Sequence, residues 1–355
     1  MGDELRNRVY GSLIVAGMGD ALGAATESWT IDEIVNSYSG LVDEFRTPPH
    51  DTFAGSNDAK RGEVTDDASQ MYYLARALVD KRGAFGNEDW VDCLLSWAST
   101  SPKAGFMGPS TRVMVEALRT GRDPAQVGLI GNSKRRLPNI GNTNGAAMRV
   151  APAGLVHPGD LRSAVDLAIL TCIPSHDTGV AVSSAAAIAA GVAAALAPGA
   201  CADSVVKSCL VGAALGLEIA DDRIRKFYGP SFSVRLERAL AIASGSTDDL
   251  TFLRALDAEI GCSVLAAESV PSAIAIFAYC RGDPLRTISL SATAGNDTDS
   301  IATIAGSMAG ALNGLSGIPA TMLDTFLDAN EATYDLAALA TGLAERANAA
   351  KSVAG

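Results

Sequence analysis

Apolar residues recur at three- and four-residue intervals along most of the chain, and alternating strand-like runs are hard to find. The helical period is met in Leu5–Gly23, Ala68–Val79, Trp90–Ala98, Thr111–Leu118, Leu161–Cys172 and Thr178–Leu196. It returns in Val205–Leu215, Phe232–Ala243, Ala266–Ala278, Ile301–Leu312 and Leu323–Ala347. The pattern predicts an all-α protein in which many helices pack around a central few. No low-complexity linker divides it, so residues 1–355 are expected to form a single domain.

Two stretches break the period. Tyr38–Glu63 contains Pro48, Pro49, Gly55 and Gly62 and is expected to form a flap or lid. Gly131–Gly145 holds Pro138 and two Asn-containing turns. Within the helix that follows Asp299, Gly306, Gly310 and Gly314 recur every four residues. That spacing lines them along one face, where a neighbouring backbone can come close.

Composition sharpens this picture. Of 355 residues, 48% are hydrophobic and 19% charged, enough for a large core, yet only 5% are aromatic. Such a core rests on small side chains and favours closely packed helices. A net charge of −12 argues against a nucleic-acid surface, and the single basic knot, Lys134-Arg135-Arg136, reads as a solvated loop. Cys93, Cys172, Cys201, Cys209, Cys262 and Cys280 form no CxxC pair, so they read as reduced, buried thiols of a cytoplasmic protein. The N-terminus shows no apolar signal segment. Thr178–Ala202 carries no charge, but its bulk of Ala, Ser and Gly fits a buried helix rather than a membrane span.

Chemistry concentrates in two acidic clusters. Thr65-Asp66-Asp67 and Asp297-Thr298-Asp299-Ser300 each open a helical pattern, more than two hundred residues apart. Each can be read as a helix N-cap. Paired acids weaken that reading, because one carboxylate suffices to cap and a second adds repulsion. Oxygen-only groups of this kind suit Mg²⁺ or Mn²⁺ rather than zinc. With only His50, His157 and His176, and no ligand spacing among them, carboxylates must carry any metal. Asp20, within Gly19-Asp20-Ala21-Leu22-Gly23, reads mainly as a structural hydrogen-bonding group, while Glu27 lies past the helix where it could reach a site. Asn142-Thr143-Asn144-Gly145 could clasp ribose or phosphate through backbone N–H groups, and Ser175-His176 precedes the uncharged helix.

Taken together and in order, these segments, with Met148-Arg149 and Glu268-Ser269-Val270-Pro271, resemble the ADP-ribosylglycohydrolase family, which includes the hydrolase acting on ADP-ribosylated dinitrogenase reductase. The resemblance runs from about Leu5 to Gly317. It implies a compact multi-helix orthogonal bundle with a binuclear Mg²⁺ or Mn²⁺ centre in a central cleft. By position, Thr65, Asp66, Asp67, Asp297, Asp299 and Ser300 match the metal ligands, with Ser300 where the family more often has Thr. Glu27 matches the flap glutamate. With Asp66 and Asp299 it is the candidate for catalytic work. Gly105, Gly108, Asn144, Gly145 and His176 match positions lining the ADP-ribose cleft. Thr143 and Asn296 each stand where relatives commonly have Gly.

The implied activity is hydrolysis at the ribose anomeric carbon of an ADP-ribosylated protein or small ADP-ribosyl substrate. One alternative is an N-glycosidase acting on a small nucleoside. Another is a catalytically silent binding or structural protein, like the crystallins similar to this family.

Overall fold

Helix follows helix from Gly2 to Ala354 in this computed structural model, which describes residues 2–81, 83–122, 140–225 and 229–354. The first group comprises α1 (Gly2–Gly23), α2 (Ile31–Tyr38), α3 (Phe53–Ser56), α4 (Asp66–Asp80), α5 (Asn87–Thr100) and α6 (Pro109–Arg119). Next come α7 (Ala151–Leu155), α8 (Leu161–Cys172), α9 (Gly179–Ala195), α10 (Ala202–Ala220), α11 (Phe232–Gly245) and α12 (Asp249–Glu259). The last five are α13 (Ala266–Tyr279), α14 (Pro284–Thr293), α15 (Thr298–Asn313), α16 (Ala320–Tyr334) and α17 (Leu336–Ala354). Among the described residues there is no β-strand, only isolated bridges pairing Thr143 with Leu265 and Thr178 with Arg225. The fold is all-α, as the hydrophobic period predicts.

Small residues decide the packing. α9 is buried from Ala181 to Ala195 and lies against α7, α8, α10, α13 and α15. Its uncharged surface is therefore protein core, and no helix among the described residues is long and apolar enough to cross a membrane. α1 and α15 run antiparallel at very close range. A Cβ on Gly310 would stand 2.2 Å from the Gly11 carbonyl oxygen, so neither helix could approach this way with a side chain there. At the other end of the pair, a Cβ on Gly23 would stand 2.4 Å from the Asp299 nitrogen. The glycine spacing read from the sequence thus serves helix packing, and it brings the end of α1 onto the acidic start of α15.

Several elements differ from expectation. Leu323–Ala347 is two helices, because Asp335 adopts a left-handed φ of 50° between α16 and α17. α2, α12 and α14 are not among the predicted helices, yet each begins with a cap. Thr30 and Glu33 form a capping box, Asp248 accepts from the Thr251 N–H, and Asp283 accepts from the Arg286 N–H ahead of Pro284. Cys201 is exposed, whereas the other five cysteines are buried free thiols. The Lys134-Arg135-Arg136 knot and Pro138 lie outside the described residues.

The expected lid segment is tied down at several points. Arg61 Nε donates to the Phe45 carbonyl at 2.9 Å, Lys103 pairs with Glu63 at 2.9 Å, and Asn330 Nδ2 donates to the Gly62 carbonyl at 2.7 Å. Between these anchors, α3 carries exposed Phe53 edge-on against Phe106, with ring centroids 6.0 Å apart.

Candidate active site

The start of α4 supplies one acidic wall. Thr65 is its N-cap, and the Thr65 hydroxyl accepts from the Asp67 N–H at 3.4 Å. Asp20, on α1 and fully buried, braces the same turn. Its Oδ1 and Oδ2 each lie 3.0 Å from the Thr65 nitrogen, and Oδ2 accepts from the Ala68 N–H at 2.9 Å. The structural reading of Asp20 is therefore right: it fills the orphan donors that α4 would otherwise leave buried. Because Asp20 and Thr65 do the capping, the Asp66 and Asp67 side chains are released for other work. Asp66 Oδ2 accepts from Gln70 Nε2 at 3.0 Å, and Asp67 Oδ2 is buried with no hydrogen-bond partner.

The second wall opens α15. Gly295 and Asn296 both take left-handed φ values, 81° and 63°, which Asn tolerates better than most residues. Asn296 exchanges backbone hydrogen bonds with the segment after α1: its N–H donates to the Trp29 carbonyl at 2.8 Å and its carbonyl accepts from the Ser28 N–H at 2.6 Å. Thr26 donates to the Ala292 carbonyl at 2.8 Å. Glu27, between these tethers, is thereby held against Asp297 and Asp299. Asp297 occupies the N-cap position of α15 yet makes no side-chain capping bond. Its carboxylate instead accepts from Asn144 Nδ2, whose other partner is Ser269 Oγ at 2.9 Å. The plain N-cap reading thus fails at Asp297.

Carboxylate oxygens of Glu27, Asp297 and Asp299 lie within 4.8 Å of one another. They share a cavity of about 490 Å³ with Asp66, Asp67 and Ser300. That volume lies in the usual range for small-molecule sites. Gly108, Thr111, Arg112, Thr143, Asn144 and Gly145 form part of its wall, with Phe53, Phe106, Met107, Met148 and Val264 as the apolar part. Thr65 and Gly105 are not among the lining residues. His176 lies one layer back, fully buried beneath Gly145, with Nε2 3.0 Å from Thr143 Oγ1.

Electrostatically the floor is strained. Burial, and then the charge of Asp299, push Glu27 to about 10 and Asp20 to about 7. The same two causes raise Asp297 to about 8. Burial lifts Asp299 to about 6, with N–H donors opposing it. Asp66 and Asp67 are raised well above the usual carboxylate range, by burial first and Asp299 next. His176 is held neutral by burial, reinforced by Arg149. Like charges this close either share protons or take a cation. The all-oxygen donor set and the partnerless oxygens Glu27 Oε2 and Asp67 Oδ2 fit a hard divalent ion.

Sequence reasoning missed Phe53, Phe106, Thr111, Arg112 and Val264 in the wall, because apolar and rim residues of a cleft carry no local signature. It also missed Gln70 behind Asp66, although position 70 follows Asp66 by one helical turn.

Comparisons with known proteins give the family and the fold. The ADP-ribosylglycohydrolase family profile matches residues 1–352. The chain is 31% identical over 316 residues to the uncharacterized protein YegU of Escherichia coli (strain K12), spanning 88% of this chain and 89% of that one. It is 27% identical over 338 residues to the ADP-ribosylhydrolase ARH3 of Homo sapiens, spanning 88% and 87%. Its fold is similar to a solved ADP-ribosylglycohydrolase-related protein complex, with a TM-score of 0.66, 22% identity, and coverage of 97% of this chain and 99% of that one.

Proposed function

The chain belongs to the ADP-ribosylglycohydrolase family, and from that premise we propose that its acidic cleft hydrolyses the glycosidic bond at the ribose anomeric carbon of ADP-ribosyl conjugates, the whole chain acting as one domain. The observation that carries this reading is the meeting of Glu27, Asp66, Asp67, Asp297 and Asp299 on one cavity, with two buried carboxylate oxygens that have no hydrogen-bond partner among the described residues.

Thr65, Asp66, Asp67, Asp297, Asp299 and Ser300 would hold two Mg²⁺ or Mn²⁺ ions. When bound, such ions supply positive charge that orients sugar hydroxyls and acidifies water. The remaining work falls to the protein. Glu27, held against Asp297 and Asp299 at the cavity wall, is the group placed to move a proton. Its partnerless Oε2 is the atom from which that proton can pass to a departing group, or to which an attacking water can give one up. The carboxylates of Asp66 and Asp299 stabilise positive charge as it builds on the ribose carbon. Gly108, Asn144 and Gly145 bound the cleft beside Phe53 and Phe106, which exclude water from the apolar part. His176 supports this wall from behind, whereas Gly105 is exposed and off the lining.

The substrate is an ADP-ribosylated protein or a small ADP-ribosyl compound. ADP-ribosyl-arginine, ADP-ribosyl-serine, O-acetyl-ADP-ribose and free nucleosides, each assayed with Mn²⁺ and with chelator, test this. Chelator-sensitive release of ADP-ribose from at least one conjugate is expected. Turnover of free nucleosides alone would favour the small N-glycosidase reading, and no turnover of any compound would favour a silent binding protein.

A further inference from the structure

Arg149 is fully buried, and its guanidinium faces the back of the acidic cleft. It stacks over Trp90, 4.7 Å from the ring centroid, and its hydrogen-bond partners are neutral groups. Nη1 donates to Gln70 Oε1 at 2.9 Å, and Nη2 donates to Ser175 Oγ at 3.0 Å and to the Thr171 carbonyl at 3.4 Å. The carboxylate it reaches is Asp66, and it does so through Gln70. A guanidinium can only donate, so the Gln70 amide must turn its oxygen to Arg149. Its NH₂ is then obliged to face Asp66, where Nε2 lies 3.0 Å from Oδ2. One residue thus dictates the orientation of the next, and the last in the series is a lining carboxylate.

A second arm leaves the same guanidinium. Ser175 Oγ lies 2.9 Å from His176 Nδ1, and His176 Nε2 lies 3.0 Å from Thr143 Oγ1, on the cavity wall. Both arms are buried behind the cleft and touch neither Glu27 nor the α15 acids.

We propose that Arg149 and Gln70 are positioning residues that hold the Asp66 carboxylate in its cation-binding orientation. The inference rests on the reading of Asp66 as a cation ligand. Partners of metal-ligating carboxylates behave this way in general: their loss weakens metal binding roughly 10–100-fold without removing a ligand.

Gln70→Met keeps the side-chain length but removes the donor to Asp66 and the acceptor for Arg149, so it also strands a buried cation. The double variant Gln70→Met/Arg149→Met removes that stranded charge. Calorimetric titration with Mn²⁺ and thermal melts of the full-length chain separate the two effects. Gln70→Met is expected to melt lower and bind Mn²⁺ roughly 10–100-fold more weakly. The double variant is expected to recover melting temperature while its Mn²⁺ affinity stays low. If affinity recovers along with stability, or if folded Gln70→Met binds Mn²⁺ within about twofold of wild type, the positioning role is overturned. Wild type that takes up no Mn²⁺ would overturn the proposed function and this inference together.

Discussion

On one side of the cleft, at the start of α4, side chains do the positioning. Asp20 and Thr65 satisfy the helix N-terminus, and Gln70 fixes Asp66. On the other side, at the start of α15, the backbone does most of it. Glycine contacts press α1 onto α15, and a left-handed pair at Gly295 and Asn296 turns Asp297 into the cavity. Among the described residues, only Asn144 reaches that wall from a distant segment to hold a carboxylate. The difference teaches that a carboxylate cluster can be held either by satisfying donors around it or by removing the atoms that would keep it apart. The first kind of wall is vulnerable to loss of a polar group, the second to gain of a methyl.

On the proposed function both walls serve the chemistry, so the largest effect is expected from removing a charge on either. Asp66→Asn and Asp297→Asn are each expected to lower turnover on the order of 10²–10³-fold or more, with matching loss of Mn²⁺ binding. Full metal-dependent activity in both would show that the cleft acids are not ligands.

Next in size is the methyl test of the α15 wall. Gly310→Ala drives a Cβ into the Gly11 carbonyl, a backbone atom that cannot rotate away, and is expected to cost about 1–3 kcal/mol or more. Gly245→Ala, at a position with open space around it, is the control and is expected to be neutral or slightly stabilising. Urea unfolding of the two variants reads the difference, and equal stabilities would mean that α1 and α15 are not packed through glycine.

The polar test of the α4 wall is Asp20→Ala. It leaves the Thr65 and Ala68 N–H groups buried without acceptors and is expected to cost about 1–3 kcal/mol. Mn²⁺ affinity is expected to fall too, since Asp66 and Asp67 sit on the turn that Asp20 braces. An unchanged melting temperature would remove Asp20 from the support of this wall.

The α4 wall was easier to read from sequence than its support. Thr65-Asp66-Asp67 announces itself, but whether those residues cap or bind depends on Asp20, forty-five positions earlier. The α15 wall was readable in part: Gly306 and Gly310 repeat at helical spacing behind the acids, but the left-handed pair at Gly295 and Asn296 and the Asn144 bond to Asp297 have no such signal. Long periodic helices such as Leu161–Cys172 were legible to the residue. α12 and α14 were not, since their caps, Asp248 and Asp283, look like ordinary loop acids. His176 was legible as a site neighbour but lies behind the wall, a depth that no spacing along the chain encodes.

The smallest effect concerns pH. Glu27, Asp297 and Asp20 have folded-state pKa values raised to about 10, 8 and 7, so the cation-free folded chain binds more protons than the unfolded one above about pH 4. Their contribution to stability is therefore present at low pH and is lost progressively as pH rises through the folded values. Over that window the cation-free melting temperature is expected to fall, and Mn²⁺ is expected to reverse the fall by replacing the missing protons. A cation-free melting temperature that instead rose from about pH 5 to about pH 9 would mean that the two walls do not crowd their charges.

Diffraction from Mn²⁺-soaked crystals, recorded at the manganese absorption edge, tests most directly whether the two walls act as one site. Two anomalous peaks are expected in the cleft, bounded by Asp66 and Asp67 on one side and by Asp297 and Asp299 on the other. A cleft without anomalous density, or a single ion held by only one wall, would contradict that claim.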